Sequence, residues 1–379
     1  MFGWGKSAQS PLPSPRPLPP WAQPLLNELG TTSSAPLVHF HGSAEFADSE
    51  TTFFTAQANE VESAAVARPS SAAEVATVLK ALQQNLPASV PIAIRGAGHA
   101  TFAGTAKAKA GVTIDTRGLK GIDVLPGGER VRIGAGNEWL DVYTTLEAHE
   151  PPLTVAGGRA ERVGVVGFLL GGGISYFSSR YGFGADSVVA WEVVLASGEV
   201  VLARRDDPET ADLWDALRGG STNFGVVTAV EMVCFPHPAH FRCANIAYLS
   251  TARQATLQAV VELGSQPSAP AEGGATTHAI WALTHVAGVP VKILNVMATT
   301  TDAAGCDGLQ GFFNARGRIP LQGALREKKH SEFATEVGNL SAKDGSRYVV
   351  LVLVLPWSAR GSCAIYLMRT PKANNSQGQ

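Results

Sequence analysis

Three stretches of this chain combine small residues with groups able to meet a charged ligand. The first is Arg95-Gly96-Ala97-Gly98-His99-Ala100, directly after the short apolar run Pro91 to Ile94. With no bulky side chain in the way, successive main-chain N–H groups can converge there on an anion such as a pyrophosphate, although a plain turn uses the same residues. Neutral imidazole is a nucleophile, so His99 on a loop that grips a cofactor can become joined to it. The commoner fate of an isolated histidine is a surface or hydrogen-bonded side chain. The second stretch, Val163 to Gly173, threads Gly164, Gly167, Gly171, Gly172 and Gly173 through apolar residues, a pattern that calls for close backbone approach. The third, Leu213 to Thr228, sets Gly219-Gly220 and Gly225 between a helical and an extended pattern.

Several other chemistries lack their residues. No G-x-G-x-x-G follows a strand, opens a helix and precedes an acidic residue by about 20 positions, which disfavours a nicotinamide dinucleotide. Gly5-Lys6-Ser7 lies too near the start to close a phosphate loop. Cys234, Cys243, Cys306 and Cys363 are widely spaced with no C-x-x-C pair, so no metal is expected and buried free thiols are favoured over disulfides. An acyl or phosphoryl transferase would need a nucleophile and a base at recognisable spacing, and none is found.

The elements around these stretches follow from periodicity. Ser70 and Ser71 precede Ala72 to Leu82, whose Val75, Val78, Leu79 and Leu82 share one helical face. Pro91 to Ile94, Val112 to Ile114 and Val131 to Ile133 read as strands, and Glu138 to Ala148 as a helix carrying Trp139, Val142, Tyr143 and Leu146. Ser197-Gly198 marks a hairpin between Val193–Leu195 and Val200–Leu202; Asp206 to Arg218 reads as a helix and Phe224 to Phe235 as a strand. Beyond His237-Pro238, strands at 244–250, 278–286 and 291–298 and a helix at 252–264 suggest a second lobe.

At 379 residues the chain is longer than one core usually serves, so two domains are expected. Its net charge of -2 offers no field for nucleic acid or anionic lipid, which leaves a small-molecule ligand. Met1 to Pro20 is rich in Pro and Ser and lacks the apolar core of a signal peptide; no aliphatic run approaches bilayer length, so no membrane partner and a cytoplasmic placement are expected.

In this order the stretches closely resemble the FAD domain of the berberine-bridge-enzyme-like branch of the vanillyl-alcohol-oxidase superfamily, the p-cresol-methylhydroxylase-type flavin fold. Ala67-Arg68-Pro69-Ser70-Ser71-Ala72-Ala73-Glu74-Val75 is similar to that family's opening segment. Arg95 to His99 is similar to its pyrophosphate loop, R-G-G-G-H, with Ala97 in place of one glycine. Gly111 to Asp115, Leu170 to Ser175 with Tyr181-Gly182, Asp186 to Gly198, and Arg218 to Thr228 extend the likeness over roughly residues 50 to 236.

The resemblance implies an α+β fold. A flavin domain of two α/β subdomains would occupy 46–236 and a partial α+β substrate lobe 237–355, between a proline-rich tail and lead-in at 1–45 and a disordered tail at 356–379. It implies FAD as cofactor, with main-chain groups of Gly96, Ala97, Gly98, His99 and Ala100 on the pyrophosphate and Arg95 and Gly104 in the same binding set. Gly158, Gly164, Gly167 and Gly173 would let the chain pass close to flavin and ribityl, while Gly225, Val226 and Val227 would line the adenine end. His99 would bond to the flavin 8α carbon. The cysteine that many relatives join to the flavin stands three positions before the Val-Gly pair, here Ala160, so bicovalent attachment is not expected.

The implied activity is that of an FAD-dependent oxidoreductase. It would take hydride from an alcohol, sugar or amine C–H of a small molecule, with oxygen or another acceptor reoxidising the flavin. Relatives end in a segment rich in Asn and Tyr that covers the flavin. It is not found here, so a shortened chain is expected, and the alternative is a truncated, noncatalytic flavin-binding remnant. No catalytic base is assigned; His278, His285 and Tyr248 are conceivable.

Overall fold

The computed structural model describes residues 17–30, 36–265, 276–285, 292–301, 309–317, 319, 324–340, 349–357 and 361–369. The first layer opens with α1 (Ala22–Leu29), whose Ala22, Leu25 and Leu29 are buried, so part of the lead-in is folded. There follow β1 (Val38–Phe40), α2 (Ala44–Thr51), α3 (Ala56–Asn59), β2 (Ala65–Ala67), α4 (Ala72–Asn85), β3 (Ile92–Arg95) and β4 (Val112–Asp115). Ser71 caps α4, its hydroxyl accepting from the Glu74 N–H, while the Glu74 carboxylate accepts from the Ser70 N–H at 2.7 Å. The strands lie in the order β1-β2-β4-β3; β2 and β3 both run parallel to β4, and β1 antiparallel to β2.

A second subdomain comprises β5 (Ile122–Val124), β6 (Arg130–Gly134), α5 (Trp139–Glu147), β7 (Leu153–Thr154), α6 (Val165–Leu170), α7 (Ser178–Tyr181), β8 (Val188–Val194), β9 (Val200–Arg204), α8 (Ala211–Leu217), β10 (Val226–Val233) and β11 (Phe235–Pro236). Its five-stranded antiparallel sheet runs β5-β6-β10-β8-β9. One core joins both sheets, from Val38, Val112 and Ile114 through Val75 and Val78 of α4 to Ile133, Trp191 and Val226.

The lobe that follows is β12 (Arg242–Leu249), α9 (Arg253–Ser265), β13 (Thr277–His285), β14 (Lys292–Thr300), α10 (Gln310–Asn314), β15 (Arg326–Glu327) and α11 (His330–Leu340), with sheet order β13-β14-β12-β15. Ala244, Ile246, Tyr248, Leu294 and Val296 pack beneath α9 and α10. The other sheet face turns Cys243, Ile280 and Met297 toward Ala156, Ala160, Tyr176 and Phe177 of the second subdomain. α11 belongs to this seam: the Ser331 N–H and hydroxyl both donate to the Glu147 carboxylate, and the Glu161 N–H donates to the Ala334 carbonyl.

Val349–Trp357, β16, pairs antiparallel with Gly361–Arg369, β17. A strand therefore stands inside the span where a disordered tail from 356 was expected. The run Cys363-Ala364-Ile365-Tyr366 has the β-branched and aromatic content that suits such pairing. Residues 1–16 and 370–379 of the two expected tails lie outside the described residues.

Candidate functional site

The three glycine stretches, far apart in sequence, meet. The loop after β3 touches the second stretch at Gly164, where an added Cβ would stand 3.0 Å from both the Cβ and the N of Ala97. The second stretch folds as α6 and the turn behind it, and its Leu170 carbonyl accepts from the Ser221 N–H of the third stretch at 3.3 Å. Gly173 and Gly184 form a short ladder, and both pack so closely on the Phe168 ring that a Cβ on either would come within 2.8 Å of it.

The scaffold behind the first loop is a buried charge network. Arg95 is fully buried and donates to the carbonyls of Ser49 and Thr52, with its guanidinium 4.0 Å from the Phe53 ring. Burial pulls it down to about 10, against the pull of Asp115. Burial pushes the Asp115 carboxyl up, but the hydrogen bonds from Arg117, the Arg95 and Arg117 charges and the Ser49 hydroxyl together outweigh that and hold it below its ordinary value. Lys107 and Glu50 form a second buried ion pair at 3.0 Å. The Arg95 side chain is thus committed to the scaffold, and the loop it supports presents main chain. No other main-chain carbonyl among the described residues accepts from the N–H groups of Gly96, Ala97, Gly98 or Ala100.

Gly98 has φ +76°, open to glycine and strained for other residues, and its carbonyl accepts from the Phe54 N–H. His99 lies flat against Phe54, ring centroids 3.9 Å apart. Gly104 sits in the following bend at φ +81° with open space where a Cβ would be, as do Gly96 and Gly167. Gly158 faces the indole of Trp139, and its carbonyl accepts from the Tyr143 hydroxyl at 2.5 Å. Val226 and Val227 have core side chains; β8 pairs with them on one edge, whereas β6 joins β10 only from Ala229. Main chain is all they offer a ligand. Phe102, just after the first loop, Phe183, just before the Gly184 that bonds Gly173, and Phe224, within the third stretch, are exposed by 65%, 54% and 42%.

Of the three conceivable bases, Tyr248 is buried under α10, donating to the Phe312 carbonyl at 2.7 Å, which makes it structural. The side chain of His285 lies outside the described residues. His278 crosses the seam to Arg159, Nη1 to Nε2 at 3.3 Å, beside the Tyr176 ring. Burial, then the Arg159 charge, lowers His278 to about 3, so it is neutral. Arginine only donates, so Nε2 accepts and Nδ1 carries the proton. Arg159 escaped the sequence reading because its partner stands more than a hundred residues away; its place between Gly158 and Ala160 was the available signal.

Among the described residues no cluster of His, Cys, Asp or Glu could hold a metal, and no helix is long and apolar enough to cross a membrane. Cys234 and Cys243 are buried free thiols. An open groove of about 590 Å³ lies elsewhere, between α5 and α11, lined by Leu140, Thr144, Lys328 and Ser331.

Residues 63–204 match a family model described as an FAD binding domain. The chain is similar to the FAD-dependent monooxygenase prx3 of Penicillium roqueforti, 46% identical over 171 residues that make up 45% of this chain and 32% of that relative. It thus spans about a third of that relative's length. It superposes on 6-hydroxy-D-nicotine oxidase from Arthrobacter nicotinovorans with a TM-score of 0.71 at 20% identity, over 85% of this chain and 69% of that one. It also superposes on the glucooligosaccharide oxidase of Acremonium strictum, described with a 6-S-cysteinyl, 8α-N1-histidyl FAD, with a TM-score of 0.66 at 21% identity, over 84% and 66% of the two chains. At such identities the likeness is one of fold.

Proposed function

We propose that this chain, whose residues 63–204 match an FAD binding domain, is an FAD-dependent oxidoreductase of the p-cresol-methylhydroxylase and berberine-bridge-enzyme-like type acting on a small molecule. The observation that carries the reading is the meeting of the three glycine stretches, the second touching both the first and the third, beside loop N–H groups that no main-chain carbonyl among the described residues takes up. Such a cradle suits a pyrophosphate, and the exposed rings of Phe102, Phe183 and Phe224 offer apolar surface for the cofactor's rings to cover. When bound, FAD supplies a hydride acceptor for an alcohol, sugar or amine C–H and an electron relay to oxygen or another acceptor.

Gly96, Ala97, Gly98, His99 and Ala100 hold the pyrophosphate through their main chain, backed by Arg95 and followed by the bend at Gly104. Gly158, Gly164, Gly167 and Gly173 leave room for flavin and ribityl, and Gly225, Val226 and Val227 border the adenine. His99 is the single covalent tether, because Ala160 has no thiol to make a second link. Arg159 and His278 stand on the substrate side, where the neutral imidazole presents its Nδ1 proton as a hydrogen-bond donor.

Purified protein is expected to be yellow and to bleach when a suitable alcohol, sugar or amine is added without oxygen. Folded but colourless protein defeats the reading; yellow protein that no such compound reduces favours the noncatalytic remnant. Acid precipitation tests the tether: flavin should stay with the wild-type pellet and leave with the supernatant of His99→Ala. The name of the Penicillium relative supports a second outcome for oxygen, insertion into product. Isotopically labelled oxygen appearing in product, as against peroxide, separates the two.

A further inference from the structure

The segment Phe53 to Gln57 precedes the residues that match the FAD-binding domain family, yet it closes around the loop that follows β3. The Phe54 N–H donates to the Gly98 carbonyl at 3.0 Å, the Thr55 hydroxyl to the Ala100 carbonyl at 3.5 Å, and the Gln57 amide to the Thr101 carbonyl at 2.7 Å. Asn59 fixes the segment from behind: its Oδ1 accepts from the Phe53 N–H at 3.1 Å and its Nδ2 donates to the Phe53 carbonyl at 3.0 Å. The two phenyl rings have different tasks. Phe53 is buried under the Arg95 guanidinium, whereas Phe54 is half-buried and stacked on His99, with 12° between the ring planes.

We propose that Phe54 is the positioning residue for the bond between His99 and the flavin, an inference that rests on the reading of His99 as tether. The imidazole lone pair lies in the ring plane, so the direction of attack is set by that plane. A free imidazole samples many planes by turning about its side-chain torsions. Stacking on Phe54 restricts the plane and covers a face, leaving both nitrogens at the ring edge. In the step itself an unprotonated ring nitrogen bonds to the 8α carbon. The 8α C–H and the second imidazole nitrogen each release a proton, and the two electrons left on the flavin pass, with both protons, to dioxygen as hydrogen peroxide.

The test uses the full chain carrying Phe54→Leu, Phe54→Met or Phe54→Tyr. Total flavin is measured before acid precipitation and pellet-bound flavin after it, with circular dichroism to show that each variant is folded. Leu and Met are expected to keep total flavin within about twofold while the rate of attachment to added FAD falls about tenfold, and Tyr, which keeps the stacking face, restores it. A merely structural role would lower total and pellet-bound flavin together. A folded Leu or Met variant that attaches flavin as fast as wild type overturns the positioning role alone; a wild type that releases all its flavin overturns the tether and this inference with it. Should both substitutions unfold the chain, the stack is tested in the wild type. The His99 ring protons should resonate upfield under the Phe54 ring current, and unshifted protons overturn the proposal.

Discussion

Gly98 shows what one hydrogen atom in place of a methyl does for this site. A Cβ there would meet the Phe53 ring at 3.1 Å and the Arg95 Nη2 at 3.3 Å, on a backbone with φ +76°. Neither neighbour can retreat easily, since the Phe53 ring is buried under the Arg95 guanidinium on a main chain held by Asn59, and Arg95 is held by carbonyls of α2 and the residue following it. Gly98→Ala is expected to destabilise the fold by about 1–3 kcal/mol, measured by urea unfolding, and to reduce the flavin retained after gel filtration. Ala97 needs no such freedom, which explains how a methyl group is accommodated where the usual loop has glycine; its Cβ faces Gly164, and the two positions share the space of one side chain.

The scale of elements explains how α5 supports the flavin domain. Trp139, Val142, Tyr143 and Leu146 are the buried face legible from spacing. What spacing cannot give is the direction of the Tyr143 hydroxyl, which reaches the Gly158 carbonyl while its ring stacks on His330 of α11 at 3.7 Å. One helix thus fixes the glycine run on one side and the second lobe on the other. Tyr143→Phe leaves the packing intact and strands a buried carbonyl. A loss of about 1–2 kcal/mol in denaturant unfolding is expected, with faster flavin release. An unchanged release rate would mean that the Gly158 carbonyl does not govern how the cofactor is held.

Over the whole molecule, the seam between flavin domain and second lobe is where pH should act. His330 is enclosed by Tyr143, Tyr176, Phe177 and Phe241, and burial, then His237, holds it well below the ordinary 6.5; His278 is lowered to about 3 by burial and Arg159. Both are neutral when folded and take up protons once unfolded. Their stabilisation is therefore complete above about pH 6.5 and diminishes as pH falls below it, by about 1.4 kcal/mol per pH unit for each histidine. His330→Phe should flatten that slope by one proton, read from urea midpoints between about pH 7 and about pH 5. An identical slope would show that His330 is not titrating on unfolding. By itself the sequence determined the strongly periodic elements such as α4, α5 and the β8–β9 hairpin, the glycine stretches and their family likeness, because periodicity, caps and turn chemistry act over a few neighbouring residues; α1 and β17, which lack so regular a pattern, it did not. The tertiary structure alone decided that Arg95 faces the scaffold, that Phe54 covers His99 and that His278 meets Arg159. Those contacts join residues tens to more than a hundred positions apart, and packing, which has no local signature, brings them together.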